Sequence, residues 1–288
     1  MAVKTSRPLP WARVEAYRAN TYRLHPRRRV TTLEQAIAYV RERGFVFFWP
    51  IGGIELPSLW TAVTGIFQVP SNHDHPGHIT WGWKDQMLGN KRWYYAKVLR
   101  RKGTMISPEV APYFYALSEN YGDPEEDYLT QYGEGKMSPA AKAIYETLLK
   151  EGPLHTQKLR KKAGLGRELY QFGKGLDELQ ADFKVVPIGI ARAGRWKYAF
   201  IYDCVHRHYP ELPQQARPID GHTARVRLLE LYFRSVGAAP TTDIAKLFGW
   251  GRDDLEEALH ALEKTGLVRR GWRFEGQKVE GWALSELG

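Results

Sequence analysis

Three histidines, His73, His75 and His78, stand within or just beyond the turn-rich stretch from Ser71 to Gly77, with Asp74 between the first two. In an extended segment His73 and His75 point the same way, which would suit two imidazoles on one metal ion. No fourth ligand is evident, so the expectation is a loop held by hydrogen-bonding histidines or touching phosphate, with no metal. The same part of the chain is rich in rings: Trp49, Trp81, Trp83, Trp93, Tyr94 and Tyr95. Most of them are accounted for by an aromatic core. The sharper reading is a pocket in which Trp49, Trp81 and Trp83 hold an unstacked base between aromatic faces.

A second set of side chains suits phosphates and base edges. Arg167, Tyr170, Gln171 and Lys174 fall on one face of a helical pattern whose other face carries Leu169, Phe172, Leu176 and Leu179 at steps of three, four and three. Such a polar face is what a recognition helix presents to a major groove. Arg160, Lys161 and Lys162 precede it, and Arg192, Arg195 and Lys197 surround Ala193-Gly194.

The elements that must position these residues run from Ser138 to Tyr202. Ser138-Pro139 is a cap followed by a proline at the first helical position, opening a helix with Ile144 and Leu148 on its apolar face that stops at Gly152-Pro153. A second helix fits Thr156 to Ala163, and the third starts near Gly166, with Gly173 and Gly175 weakening it. Lys184 to Ile190 and Trp196 to Tyr202 read as the arms of a hairpin. Helix, helix, helix and hairpin is a winged-helix plan. It recurs: Gly152 and Gly164 return as Gly237 and Gly249, and Leu176 and Leu179 as Leu259 and Leu262, each pair at one constant offset. The later third helix is acidic, with Asp253, Asp254, Glu256, Glu257 and Glu263, so this copy is expected to pack, or to reach DNA only through Arg269, Arg270 and Arg273 near its hairpin.

The expected class is therefore α+β: tandem winged-helix modules behind an aromatic-rich N-terminal α+β unit. The divisions are an arginine-rich arm (1–31), an aromatic-rich, winged-helix-like unit (32–137), a winged-helix module (138–203), a proline-containing connector (204–220) and a second module (221–288). In the front unit Thr32 caps a helix striped by Leu33, Ile37 and Val40 and ended by Gly44.

Bulk properties narrow the function. At 288 residues with 43% hydrophobic and 26% charged, the chain is long enough for two or three cores and has no run long enough to span a membrane. The formal charge of +10 lies in clusters such as Arg27-Arg28-Arg29 and Arg100-Arg101-Lys102, which attract a polyanion and make binding salt-sensitive. The expected partner is double-stranded DNA. A single cysteine, Cys204, and a first segment without the apolar core of a signal peptide agree with a cytoplasmic location.

With Gly44 after the first helix, two winged-helix patterns, Tyr202-Asp203 with Arg207 and Pro210, and Val279-Glu280-Gly281-Trp282 near the end, the chain resembles the winged-helix DNA glycosylase family of AlkZ and YcaQ. The resemblance implies tandem winged helices that clasp duplex DNA and excise alkylated or crosslinked bases by N-glycosidic bond hydrolysis, without a metal or organic cofactor. It also implies an active segment of Gln, an apolar residue, then Asp or Gln. The matching positions here are Phe47, Phe48 and Trp49, which cannot hold a nucleophilic water. Replacement carboxylates stand nearby: Glu55, after Gly52-Gly53, as general base, and Asp85, after Trp81 and Trp83. The histidines would contact phosphate or the leaving base. Two readings from other classes stay open: a non-catalytic winged-helix protein such as a transcription regulator, favoured by apolar positions 47 and 49, and a hydrolase using the histidine loop.

Overall fold

A computed structural model describes residues 8–71, 74–274 and 280–288. By internal contacts they divide into two units, one built from the stretches up to Thr80 and from Gly221 onward, the other from Trp81 to Asp220. Both mix helices and strands, so the chain is an α+β protein. Among the described residues no helix is long and apolar enough to cross a membrane.

The first stretch carries β1 (Pro8–Leu9), α1 (Trp11–Thr21), α2 (Leu33–Arg43), β2 (Phe45–Phe47) and α3 (Leu59–Thr64), and α4 (Ile79–Met87) belongs mostly to the central unit. Thr32 caps α2 as its spacing indicates, Oγ1 accepting from the Gln35 N–H at 3.2 Å. Gly44 at φ +80° ends the helix, a left-handed position that favours glycine. Phe45, Val46, Phe47 and Phe48 are all buried.

The central unit continues with β3 (Tyr94–Ala96), β4 (Thr104–Ile106), α5 (Ala111–Tyr115) and α6 (Asp127–Gly133), then α7 (Pro139–Glu151), β5 (Leu154–His155), α8 (Thr156–Lys162) and α9 (Leu169–Ala181). The hairpin β6 (Val185–Ala191) and β7 (Ala199–Cys204) and the short helices α10 (Val205–His208) and α11 (Leu212–Ala216) complete it. Ser138 caps α7 by accepting from the Ala141 N–H, while its own N–H donates to Glu178 on α9. Ile144, Leu148, Leu159, Phe172, Leu176 and Leu179 form one core with Val185 and Tyr202. Each fully buried leucine of this kind contributes roughly 1.5–3 kcal/mol. Gly175, a liability by helix propensity, is where α9 meets α7: a Cβ there would lie 2.8 Å from the Ala141 nitrogen. Antiparallel β5, β7 and β6 sit beside the three helices.

Two sequence expectations fail here. Leu169 is 67% exposed instead of buried, because α9 begins at that residue and its first turn projects past the core. Trp196 lies outside the strand: β7 starts at Ala199, the hairpin tip is wider than the Ala193-Gly194 turn, and Lys197 takes φ +50° within it.

The closing stretch returns to the first unit with α12 (Gly221–Val236), β8 (Ala238–Pro240), α13 (Thr241–Phe248), α14 (Arg252–Lys264), β9 (Val268–Phe274) and β10 (Glu280–Leu284). These strands join β1 in a four-stranded sheet of order β1-β9-β10-β8, with β1 parallel to β9. Thr21 and Tyr17 bond to the Ser235 and Arg234 carbonyls of α12, tying α1 to it. The first and last parts of the chain thus share one core.

Candidate active site and cationic face

Glu55 is positioned by residues remote in sequence. The loop from Pro50 to Pro57 turns at Gly53, whose φ of +69° favours glycine, and Lys246 of α13 donates to the Gly53 carbonyl at 2.8 Å. That clamp sets the carboxylate beside α1. Glu55 Oε2 accepts from Arg18 Nη1 at 2.7 Å, and Oε1 accepts from the Tyr22 hydroxyl at 2.5 Å. Arg18 is itself fixed, donating through Nε to the Val236 carbonyl and through Nη2 to that of Ala238. Burial, with the Glu55 charge adding to it, pushes the Tyr22 phenol well above its ordinary pKa, so it remains a donor. Each carboxylate oxygen has one strong donor and keeps lone-pair capacity for a water.

Glu55 opens onto a cavity of about 470 Å³ lined by Gly52, Gly53, Leu56, Phe67 and Asp243. Two carboxylates therefore line one cavity, and Phe67, 55% exposed, adds an aromatic ring to it. Neither Asp243 nor Phe67 was signalled by sequence: they lie in α13 and in the loop after α3, and only the closed fold brings them to Glu55. The central unit has a larger cavity, about 590 Å³, lined by Tyr115, Asp127 and Arg217 among others. There Asp127 Oδ2 already accepts from the backbone N–H groups of Tyr121, Gly122 and Asp123, which leaves that oxygen committed to the turn.

The other residues singled out by sequence are placed elsewhere. Asp85 Oδ1 accepts from the Tyr198 hydroxyl and pairs with Lys84 at 2.6 Å. The Lys84 ammonium is buried within 4.4–5.6 Å of the ring centroids of Trp81, Tyr95, Tyr198 and Phe200, and desolvation lowers its pKa. Trp83 is buried, Trp81 borders this cage, and Trp49 stacks on Phe48 at 5.2 Å. The ring lining the Glu55 cavity is instead Phe67. His75 and His78 pack against Trp60, and His75 Nδ1 accepts from the Gly77 N–H; His73 lies outside the described residues. Among the described residues, no three His, Cys, Asp or Glu side chains converge on a point where a metal could be held.

Tyr170, Gln171 and Lys174 are exposed on the first turns of α9, Arg167 in the turn just before it, and Arg192, Arg195 and Lys197 at the hairpin tip. Among the described residues none of these cations has a carboxylate partner; Lys174 lies over Tyr170 and Arg195 over Trp196 instead. On α8, Arg160 and Lys161 are likewise unpaired, while Lys162 binds Glu151 at 2.7 Å. Tyr170 and Trp196 are 72% and 82% exposed, rings held in water beside unneutralised cations. Trp196 is a residue the sequence reading assigned to a strand arm. Arg269 and Arg270 are exposed on β9, Arg270 over the Trp282 ring.

A family model described as AlkZ related matches residues 30–249. The solved structure of the Streptomyces sahachiroi DNA glycosylase AlkZ aligns with a TM-score of 0.58 at 13% identity, covering 97% of this chain and 71% of that one. At that identity the likeness is one of fold. Among curated proteins none matches.

Proposed function

The chain belongs to the AlkZ-related family, and from that premise we propose a DNA-repair protein that binds duplex DNA through winged-helix modules and hydrolyses the N-glycosidic bond of alkylated or crosslinked bases. The modules are residues 138–203 and 221–288, joined by 204–220 and preceded by the unit 32–137 and the arm 1–31. In the first module α9 enters the major groove, with Arg167, Tyr170, Gln171 and Lys174 toward the duplex. Arg160, Lys161, Lys162, Arg192, Arg195 and Lys197 track phosphates; Arg269 and Arg270 do so in the second.

The observation that carries the catalytic part is the Glu55 carboxylate, held between Arg18 and Tyr22 in a cavity that Asp243 and Phe67 also line. A damaged base unstacks against Phe67. Glu55 orients a water and takes its proton as the water oxygen bonds to the anomeric carbon. The N-glycosidic bond breaks with its electron pair leaving on the base. Asp243 and Glu55 together stabilise the positive charge that grows on the sugar. The products are a free base and an abasic site. A buried Cys204, its thiol pushed up to about 12 by burial, suits a reducing cytoplasm.

The test is release of base from alkylated and crosslinked duplexes, read as alkali-labile strand breaks. Wild type should produce them, and Glu55→Gln should slow the reaction on the order of 10²-fold or more while binding persists. Full activity in Glu55→Gln removes the assignment. One observation favours a second reading, a non-catalytic winged-helix binder: of the two positions where the resemblance calls for polar groups, Phe47 is sealed in the core and Trp49 stacks on Phe48. Binding without any base release across the panel would select it.

A further inference from the structure

Between α1 and α2 the backbone turns tightly, with Arg23 at φ +60° and a single 3-10 turn at Pro26–Arg28. The turn gathers Arg23, Arg27, Arg28 and Arg29 around a concavity of about 270 Å³, whose one acid is Glu42. That acid is spent: Arg23 binds one of its oxygens and Arg43 the other. Arg28 donates to the neutral Asn20 side chain at 2.7 Å. Arg27 and Arg29 have no partner among the described residues, and the Arg29 Nε–H is buried without an acceptor. Arg29 is nonetheless held in place, because its guanidinium lies over Gly65, where a Cβ would come within 2.4 Å of Nη2. One guanidinium held in place, at Arg29, and an uncompensated excess of positive charge around a concavity describe an anion site.

We propose that this arginine-lined concavity binds a phosphate group, with Arg27 and Arg29 as its principal donors. Guanidinium forks match the geometry of phosphate oxygens and stay charged at every relevant pH. The site is shallow, with Arg27 and Arg28 exposed, so it encloses no base or sugar. Such a site suits a backbone phosphodiester, and we assign it to DNA, outside the helix and hairpin contacts already described. That source rests on the duplex-binding reading above; the anion site itself does not.

The test uses the full chain as wild type, Arg27→Gln, and Arg27→Gln with Arg29→Gln. Duplex binding by fluorescence anisotropy over a salt series should show the slope of log K against log salt falling by about one in the double variant. Affinity at low salt should fall several-fold, and Arg27→Gln alone, which disturbs no packing, should show part of both effects. Thermal unfolding in inorganic phosphate against chloride at matched ionic strength supplies the second arm. An unchanged slope with a phosphate-dependent midpoint rise that the variants lose supports the site and overturns DNA as its source. No change in either measurement overturns the site. A wild type that binds no duplex at all would sink the proposed function, and the phosphate arm would still decide this one.

Discussion

The two helix-and-hairpin modules share an order of elements and differ in what their third helices do with charge. On α14 most ions are paired: Arg252 with Glu256, Arg225 of α12 with Asp254, and His260 faces Glu263. On α9 Lys174 and the neighbouring Arg167 have no carboxylate partner, and exposed Leu169 and Tyr170 stand beside them. A face that neutralises itself is stable in water alone. One that keeps its charges unpaired and its rings wet gives up stability in isolation and is suited to an anionic partner with stackable groups. Similar scaffolds thus carry a surface whose charges are largely paired and a surface whose cations stay open to an anionic partner.

The largest expected effect tests that contrast directly. Arg167→Glu with Lys174→Glu should cut duplex affinity by roughly two orders of magnitude, since each lost contact is replaced by repulsion. Arg252→Glu should leave it within about two-fold, and the reverse order, measured by anisotropy, would break the comparison. Trp196→Ala comes next: about ten-fold weaker binding if the ring stacks on a base or sugar, with the salt slope unchanged because no cation is removed. A smaller gain should follow from Glu256→Lys with Glu257→Lys, which turns α14 from net negative to net positive and should raise non-specific affinity about three-fold.

The faintest expected effect concerns α10, directly after the first hairpin. Burial holds His206 and His208 below the ordinary histidine pKa, with Arg207 and Lys91 respectively adding to it. The unfolded chain therefore binds more protons as pH falls through the ordinary value of about 6.5. The thermal midpoint should drift down between pH 7.5 and 6, and His206→Gln with His208→Gln should flatten that drift.

Much of the first module was legible because its signals are local. Ser138, Gly152, the leucines of α9 and the basic turn all act within one or two turns of their own position. Periodicity carried Leu169 too far, since it marks a helical face without saying where the neighbouring core ends. Strand-like composition likewise drew Trp196 into an arm that the wider turn leaves outside. The Glu55 site was legible only in its carboxylate and glycines. Arg18, Phe67 and Asp243 reach it from an N-terminal helix, a loop and α13, a convergence with no trace in local spacing. Asp85 shows the opposite failure: a promising residue beside two indoles whose partners, Lys84 and Tyr198, already occupy it.

The carbonyl that accepts from Arg18 Nε belongs to a residue 218 positions later. During translation, at about 5–20 residues per second, α1 and the Glu55 loop leave the ribosome well before Val236, Ala238 and Lys246 exist to fix them. The intervening residues of the central unit can mature in that interval. A nascent chain would expose the cations around α9 for some seconds before Arg18 was anchored beside Glu55, so its basic face precedes its finished carboxylate cavity in time.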